Sequence, residues 1–420
     1  MDRSDIVVGL LFGDEGKGTT VDYLASINDE VNAVVRFSGG AQTAHNVITP
    51  NGNHHTFAQF GSATFQGIRT LLTKYMLVNP LGMAREADKL EKLLGYDPFN
   101  IAFISENALL TTPLHSATNK QREIARGASR HGSCGQGIGE TQYYANHNFS
   151  APRIGDLKNL ALLKTKLETY KVFAENEVGT LAPYAPDIDD LISSYEALLK
   201  GRPFNIVNDE WILEELKRGY NIFEGSQGIL LDEELGFHPN TTWSTVTTAN
   251  ALQLAEEAGL PKPNVIGVTR SYTTRHGAGA FPSEFSDEEW IKTYPELHNK
   301  MGKFQGGWRG GYLDLELLEY AVRATGGIDT LALTHLDYPY QKAVTGYSAL
   351  TEAIPTDFFE GDRDKQEVIT NLLSSDDLKS SAQTINIKDE AHLIELIESK
   401  IGKHPLIKSY GPTCKDKVSE

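Results

Sequence analysis

Near its start the chain runs from Ile6-Val7-Val8-Gly9-Leu10-Leu11-Phe12 into Gly13-Asp14-Glu15-Gly16-Lys17-Gly18-Thr19-Thr20, and then into Val21-Asp22-Tyr23-Leu24-Ala25. The continuous apolar run suits a strand buried on both faces of a parallel sheet, and the last segment begins a helix. Strand, glycine-rich turn and helix in immediate succession make phosphate-cradle geometry. Gly13, Gly16 and Gly18 let backbone N–H groups approach phosphate oxygens, the helix N-terminus adds a partial positive charge, and Lys17 adds a full one. Glu15 sits in the same turn. The loop is not a Walker A loop, which has Gly where Leu11 stands and Ser or Thr directly after the lysine. Asp14 is its unusual member, because a carboxylate beside bound phosphate is repulsive unless a metal ion or a proton transfer requires it.

Short apolar runs recur at 33–35, 101–104, 221–223, 265–268 and 330–333, and helical patterns at 85–94, 157–169, 188–199, 313–324 and 391–401. This alternation predicts an α/β fold with a mainly parallel, doubly wound sheet flanked by helices and related to the P-loop folds. No repeat or low-complexity linker marks a boundary, so residues 1–420 are expected to form a single domain with inserted active-site loops. The segments 129–150 and 298–311, rich in Gly, Asn and polar residues, are the candidate loops.

Charge and cysteine content narrow the partners. Lys plus Arg total 39 against 56 Asp plus Glu, and the net charge of −17 repels a polyanion, so nucleic acid is not an expected partner. Cys134 and Cys414 are the only cysteines, too few for a disulfide framework, and a reducing cytoplasm fits them. No basic segment precedes an apolar stretch at the N-terminus and no apolar run approaches a membrane span, so no membrane association is expected.

Further segments carry chemistry-bearing residues in a fixed order. They read Gly39-Gly40-Ala41-Gln42-Thr43-Ala44-His45-Asn46, Phe223-Glu224-Gly225-Ser226-Gln227-Gly228-Ile229-Leu230-Leu231-Asp232 and Tyr272-Thr273-Thr274-Arg275-His276-Gly277-Ala278-Gly279-Ala280-Phe281-Pro282. Thr330-Leu331-Ala332-Leu333-Thr334-His335-Leu336-Asp337 and Ser409-Tyr410-Gly411-Pro412 follow. Together with the phosphate loop, these segments resemble the adenylosuccinate synthetase family along essentially the whole chain.

That resemblance implies a ligase using GTP and Mg2+ to join a purine monophosphate, IMP by default, to an amino acid, aspartate by default. The γ-phosphoryl group passes to the purine 6-oxygen and the amine then displaces it. Asp14 would take the proton from purine N1 and help hold Mg2+, with a backbone carbonyl near Ala44 as a second metal contact. Lys17 would steady the phosphates, and His45 would be the general acid on the transferred group. Gln227 would contact the purine, while Thr242, Ser133 and Cys134 would serve the nucleotide phosphate. His276 lies in the matched nucleotide-binding run. Asp337 would accept from N1–H and the 2-amino group of guanine, with His335 in place of the family's lysine, and Ser409 and Gly411 would close over the base.

The departures from the family pattern concentrate where substrate is selected. The family's aspartate loop carries four arginines, whereas residues 302–314 here read Gly-Lys-Phe-Gln-Gly-Gly-Trp-Arg-Gly-Gly-Tyr-Leu-Asp, leaving Arg309 and Lys303 as candidate contacts for the amino acid. The family also lends an arginine across a homodimer to the IMP phosphate, and Asn146-His147-Asn148-Phe149-Ser150 offers none. A homodimer remains the expectation. Open alternatives are a phage-type synthetase acting on dGMP, the same chemistry with a different amino donor, and a silent nucleotide-binding paralogue. Retention of Asp14, Lys17, His45 and Gln227 argues against the last of these.

Overall fold

A ten-stranded sheet organises the computed structural model, which describes residues 4–127, 130–285, 306–358 and 362–420. In spatial order its strands are Lys417–Ser419, Pro405–Ser409, Thr330–Thr334, Asn264–Arg270, Asp5–Gly9, Tyr220–Gly228, Val31–Arg36, Arg69–Leu72, Ala102–Ser105 and Asn205–Val207. All neighbours pair parallel except the edge strand Lys417–Ser419, which runs antiparallel to Pro405–Ser409. Each apolar run of the sequence contributes a strand to this one sheet. Asp5–Gly9 occupies its centre, with Ile6 opposite Phe223 on one side and Val265 on the other.

Ile6 and Val8 enter one apolar core and Val7 another, the period of two expected for a strand sandwiched between layers. The helix Lys17–Ser26 packs its Val21 and Leu24 with Val7, while Leu315–Ala324 and Glu390–Ile401 cover the Ile6 side. Fully burying such side chains contributes roughly 1.5–3 kcal/mol each. A charge at Val7 would have no face of the sheet through which to reach water.

Two loop expectations are corrected in part, residues 298–305 lying outside the described residues. The segment 129–150 contains the helix Ile138–His147, and Trp308–Gly311 is a strand paired antiparallel with Thr273–His276. Glycine-rich, polar composition concealed both. The helix buries only a narrow stripe, Ile138, Thr141 and Tyr144 among it, and the strand pair is held by backbone bonds that need no apolar period. The helix expected at 157–169 is Leu160–Val178, preceded by the 3-10 turn Ile154–Lys158.

Parallel alignment puts the carboxyl ends of many strands at one edge of the sheet, which is where open α/β folds bind ligands. Residues 12–19 follow the central strand, and Gln42 to Asn46 lie beyond Val31–Arg36. Gln227, Arg270, Thr334 and Ser409 end or nearly end their own strands.

Candidate active site

These strand ends converge on a cavity of about 780 Å³. Its wall includes Gly13, Asp14, Glu15, Gly16, Lys17, Gly18, Ala44, His45, Ser133, Cys134, Gln227, Thr242, His276, His335, Asp337, Ser409 and Gly411, so residues far apart in sequence are brought together. Arg309 is not on this wall, and Lys303 lies outside the described residues.

The phosphate loop is built around an ion pair. Glu15 accepts from the backbone N–H of Leu11 at 3.0 Å and of Gly13 at 2.7 Å, and its other oxygen accepts from Lys17 Nζ at 2.7 Å. Both side chains are buried, and a Cβ on Gly9 would fall 2.3 Å from Glu15 and 2.6 Å from Lys17, so only glycine admits the pair. Glu15, expected among the nucleotide contacts, instead shapes the loop with its carboxylate, since a second anion facing phosphate would repel it. The helix Lys17–Ser26 starts after Gly16 at φ 93° with no side-chain cap, leaving its first N–H groups to face an anion.

His45 is fixed by a partner that sequence reading did not single out. Its Nδ1 lies 2.5 Å from Glu224 Oε1, while Nε2 is buried without a hydrogen-bond partner. Glu224 also accepts from the Ser62 N–H at 3.0 Å and from the Ser62 hydroxyl. Burial alone would raise the Glu224 carboxyl, but Arg36 and His45 outweigh it and hold it at about 2. Burial lowers the His45 imidazole against the pull of Glu224, which favours a neutral ring donating Nδ1–H to the carboxylate. A Cβ on Gly18 would approach His45 Cβ to 2.7 Å, so glycine there lets the phosphate loop and the histidine touch. The available signal for Glu224 was an acid placed directly after the apolar pair Ile222-Phe223 in a buried strand.

Backbone strain and unpaired polar atoms mark the same place. Among the described residues, the non-glycine residues with positive φ are Asp14 (60°), Gln227 (53°) and His335 (60°), and all three line the cavity. Such conformations persist where surrounding structure enforces them, commonly at functional sites. Gln42 Nε2 and Oε1, Thr43 Oγ1, Gln227 Oε1 and His276 Nε2 are also buried without partners on this wall. Buried polar groups are normally satisfied, so this clustering points to a polar ligand.

At one end of the cavity Asp337 is exposed beside Tyr338 and His335, with Ser409, Gly411 and Pro412 opposite. His335 is lowered well below its ordinary value by burial and then by Arg270 and Lys417, so it brings no charge. Tyr272, His335 and Tyr338 contact one another edge-on or tilted at 5.6 to 5.9 Å, forming an aromatic wall suited to a flat base. At the other end Ser133 donates to Asn119 at 3.1 Å, and Cys134 is exposed. Thr242 and Trp243 close that side against the helix Ile138–His147.

Arg309, expected to contact the amino acid, is committed elsewhere. Nε and Nη2 donate to Glu284 at 2.7 and 2.5 Å, and Nη1 donates to the carbonyls of Gly277 and Gly279 at 3.1 and 2.9 Å. Four of its five N–H donors are therefore taken by groups of the segment that follows Thr273–His276.

A family model for adenylosuccinate synthetases matches residues 6–416. The chain belongs to the adenylosuccinate synthetase family. An adenylosuccinate synthetase of Chlorobium chlorochromatii is 33% identical over 351 residues, covering 79% of this chain and 76% of the relative. One from Thermoplasma acidophilum is 32% identical over 344 residues, covering 80% and 76%. In fold, the chain is similar to a fully ligated adenylosuccinate synthetase of Plasmodium falciparum, with a TM-score of 0.81 at 18% identity and complete coverage (100%) of both chains. It is less similar to a cyanophage S-2L succinoaminodeoxyadenylate synthetase bound to dGMP and to dATP as an energy donor, with a TM-score of 0.62 at 15% identity, covering 100% of this chain and 95% of the other. The adenylosuccinate synthetase family consists of GTP-dependent ligases of purine biosynthesis, and the doubly wound fold and ligase class read from the sequence agree with it.

Proposed function

We propose that the protein joins IMP to L-aspartate at the expense of GTP, giving adenylosuccinate, GDP and phosphate. The observation that carries this reading is the His45–Glu224 pair, in which Nε2 has no hydrogen-bond partner and His45 lines the same cavity as Asp14, Lys17 and Gln227. Asp14 removes the proton from purine N1, and Gln227 holds the base so that the 6-oxygen forms the new P–O bond as GDP leaves. Phosphate oxygens arriving at His45 favour protonation of Nε2, so the ring then donates to the group in transit while Glu224 stabilises the imidazolium. Attack of the aspartate nitrogen at C6 expels phosphate.

Among the described residues no group of three or more His, Cys, Asp or Glu side chains could hold a metal by itself. Asp14 on the phosphate-loop wall nonetheless fits Mg2+, which commonly takes one or two protein carboxylates together with substrate phosphates, and Ala44 can add its carbonyl. Mg2+ bound there would neutralise phosphate charge. Asp337 supports GTP as the phosphoryl donor. Assembly as a homodimer belongs to the same proposal, as does a cytoplasmic setting. Among the described residues, no helix is long and apolar enough to cross a membrane.

A second reading, a different amino donor, is favoured by one observation, the commitment of Arg309 to Glu284. Phosphate release from GTP with Mg2+, measured for IMP, GMP and dGMP against aspartate and other amino acids, tests both. Turnover with IMP and aspartate, with adenylosuccinate as product, is the expected result. Turnover only with another amine favours the second reading, and turnover only with dGMP replaces IMP.

A further inference from the structure

We propose that Arg126 supplies the cationic contact to the 5′-phosphate of the purine monophosphate, so that each subunit completes its own phosphate subsite. The proposal rests on the reading above that such a monophosphate is the substrate. Two arginines of the helix Pro113–Arg126, Arg122 and Arg126, line the same cavity as the phosphate loop.

Arg122 is spent. Its Nε and Nη2 donate to Glu140 at 2.8 and 3.1 Å, and its Nη1 faces Glu177 at 3.7 Å. Arg126 makes one hydrogen bond among the described residues, from Nη1 to Glu123 Oε1 at 2.8 Å, which leaves Nε–H and Nη2 for another acceptor. Glu123 is fully buried, and its other oxygen accepts from the Gly132 N–H at 3.0 Å and the Ser133 N–H at 3.4 Å. One carboxylate therefore fixes both the arginine and the loop that carries Ser133.

The surrounding groups are of the kind a phosphate dianion takes. The helix Ile138–His147 begins after Gly137 at φ 84° with no side-chain cap, and Gly137, Ile138 and Gly139 lie on the wall. The unpartnered Gln42 amide lies against this helix start, since Gln42 Oε1 and Ile138 Cδ1 both fall within 3.2 Å of where a Cβ on Gly40 would sit. Helix N–H groups, an amide and a guanidinium with free donors meet the charge and geometry of a phosphate. His131, on the same wall, is lowered by burial and by Arg126 itself, so it is not a competing cation. Residues 146–150 at the end of the helix contain neither Arg nor Lys.

The test is calorimetric titration of wild type, Arg126→Ala and Arg126→Lys with IMP, with inosine, which lacks only the phosphate, and with GTP. Arg126→Ala is expected to weaken IMP binding roughly 30-fold, a loss in the range of a charge-assisted hydrogen bond, while GTP and inosine change by less than about twofold. Arg126→Lys, which keeps the charge and guards against misfolding of the Ala variant, is expected to recover part of the loss. IMP binding by Arg126→Ala within about threefold of wild type overturns the proposal alone, whereas wild type that binds no purine monophosphate overturns the functional reading with it. Mixing Arg126→Ala with His45→Asn chains adds a check on the subunit. At IMP well below the wild-type KM, activity per Arg126→Ala chain that rises on mixing would mean that Arg126 acts across an interface and would overturn its action within one chain, and a mixture no more active than Arg126→Ala alone supports it.

Discussion

At the carboxyl edge of the sheet the candidate reactive groups are held by partners with one function left unpaired, whereas on the hairpin Thr273–His276/Trp308–Gly311 the charged group has four of its five N–H donors committed. His45 gives Nδ1 to Glu224 and keeps Nε2 unpaired, and Lys17 gives one contact to Glu15. Arg309, by contrast, spends four donations on Glu284 and two carbonyls. Placement of a side chain by its neighbours thus separates preorganisation from structural use. A residue type at a family position does not decide which of the two it serves.

The largest effect expected from breaking this contrast lies on the chemical edge. His45→Asn should lower kcat about 10³-fold, within the range for losing a general acid, with the KM for GTP little changed. Glu224→Gln keeps the shape but removes the charge that orients the ring, and it should cost less, about 10²-fold. Initial rates of phosphate release measure both. A kcat within tenfold of wild type for His45→Asn would remove the histidine from the mechanism.

Much of that edge was legible in the sequence because its determinants are local. The apolar run begun at Ile6 is a buried strand as far as Gly9, with Leu10 to Phe12 buried in the turn beyond it, and the glycines that follow make a close turn, so Lys17 could be placed at a helix start from spacing alone. Glu224 was not singled out, although it stands within a quoted motif, because its value depends on meeting His45 and Ser62, residues 179 and 162 positions away. The fate of Arg309 was hidden for the same reason. Glu284 lies 25 residues earlier, and only the antiparallel pairing of the hairpin, invisible in glycine-rich sequence, brings the two together. The helix Ile138–His147 was missed because its stripe of buried residues is too thin to give a period.

Arg309 and Glu284 give a test of intermediate size. If their pair is structural, Arg309→Ala and Glu284→Ala should lower stability by similar amounts, about 1–2 kcal/mol, because each leaves a half-buried charge unpaired. The KM for the amino acid should then rise a few-fold in both variants, through the shared hairpin. Denaturant midpoints together with KM values decide. A large KM rise for Arg309→Ala alone, with Glu284→Ala improving KM, would make Arg309 a direct carboxylate ligand and erase the contrast drawn above.

The smallest expected effect concerns Lys417, on the edge strand behind the base-binding end. Burial brings its ammonium down to about 8, against the raising influence of Asp22 and Asp416, and Nζ donates to the Thr413 carbonyl at 3.0 Å. Between about pH 8 and the ordinary lysine value near 10.4, the unfolded chain binds a proton that the folded chain has released, so stability from this group rises with pH across that window. Below pH 8 both states are protonated and the slope vanishes. Lys417→Met removes the titration while keeping the apolar stem, so melting temperatures followed from pH 7.5 to 9.5 should show a shallower rise in the variant than in wild type. Parallel curves would mean that the lysine stays protonated in the fold. The positive charge beside Asp337 would then persist above pH 8 as well.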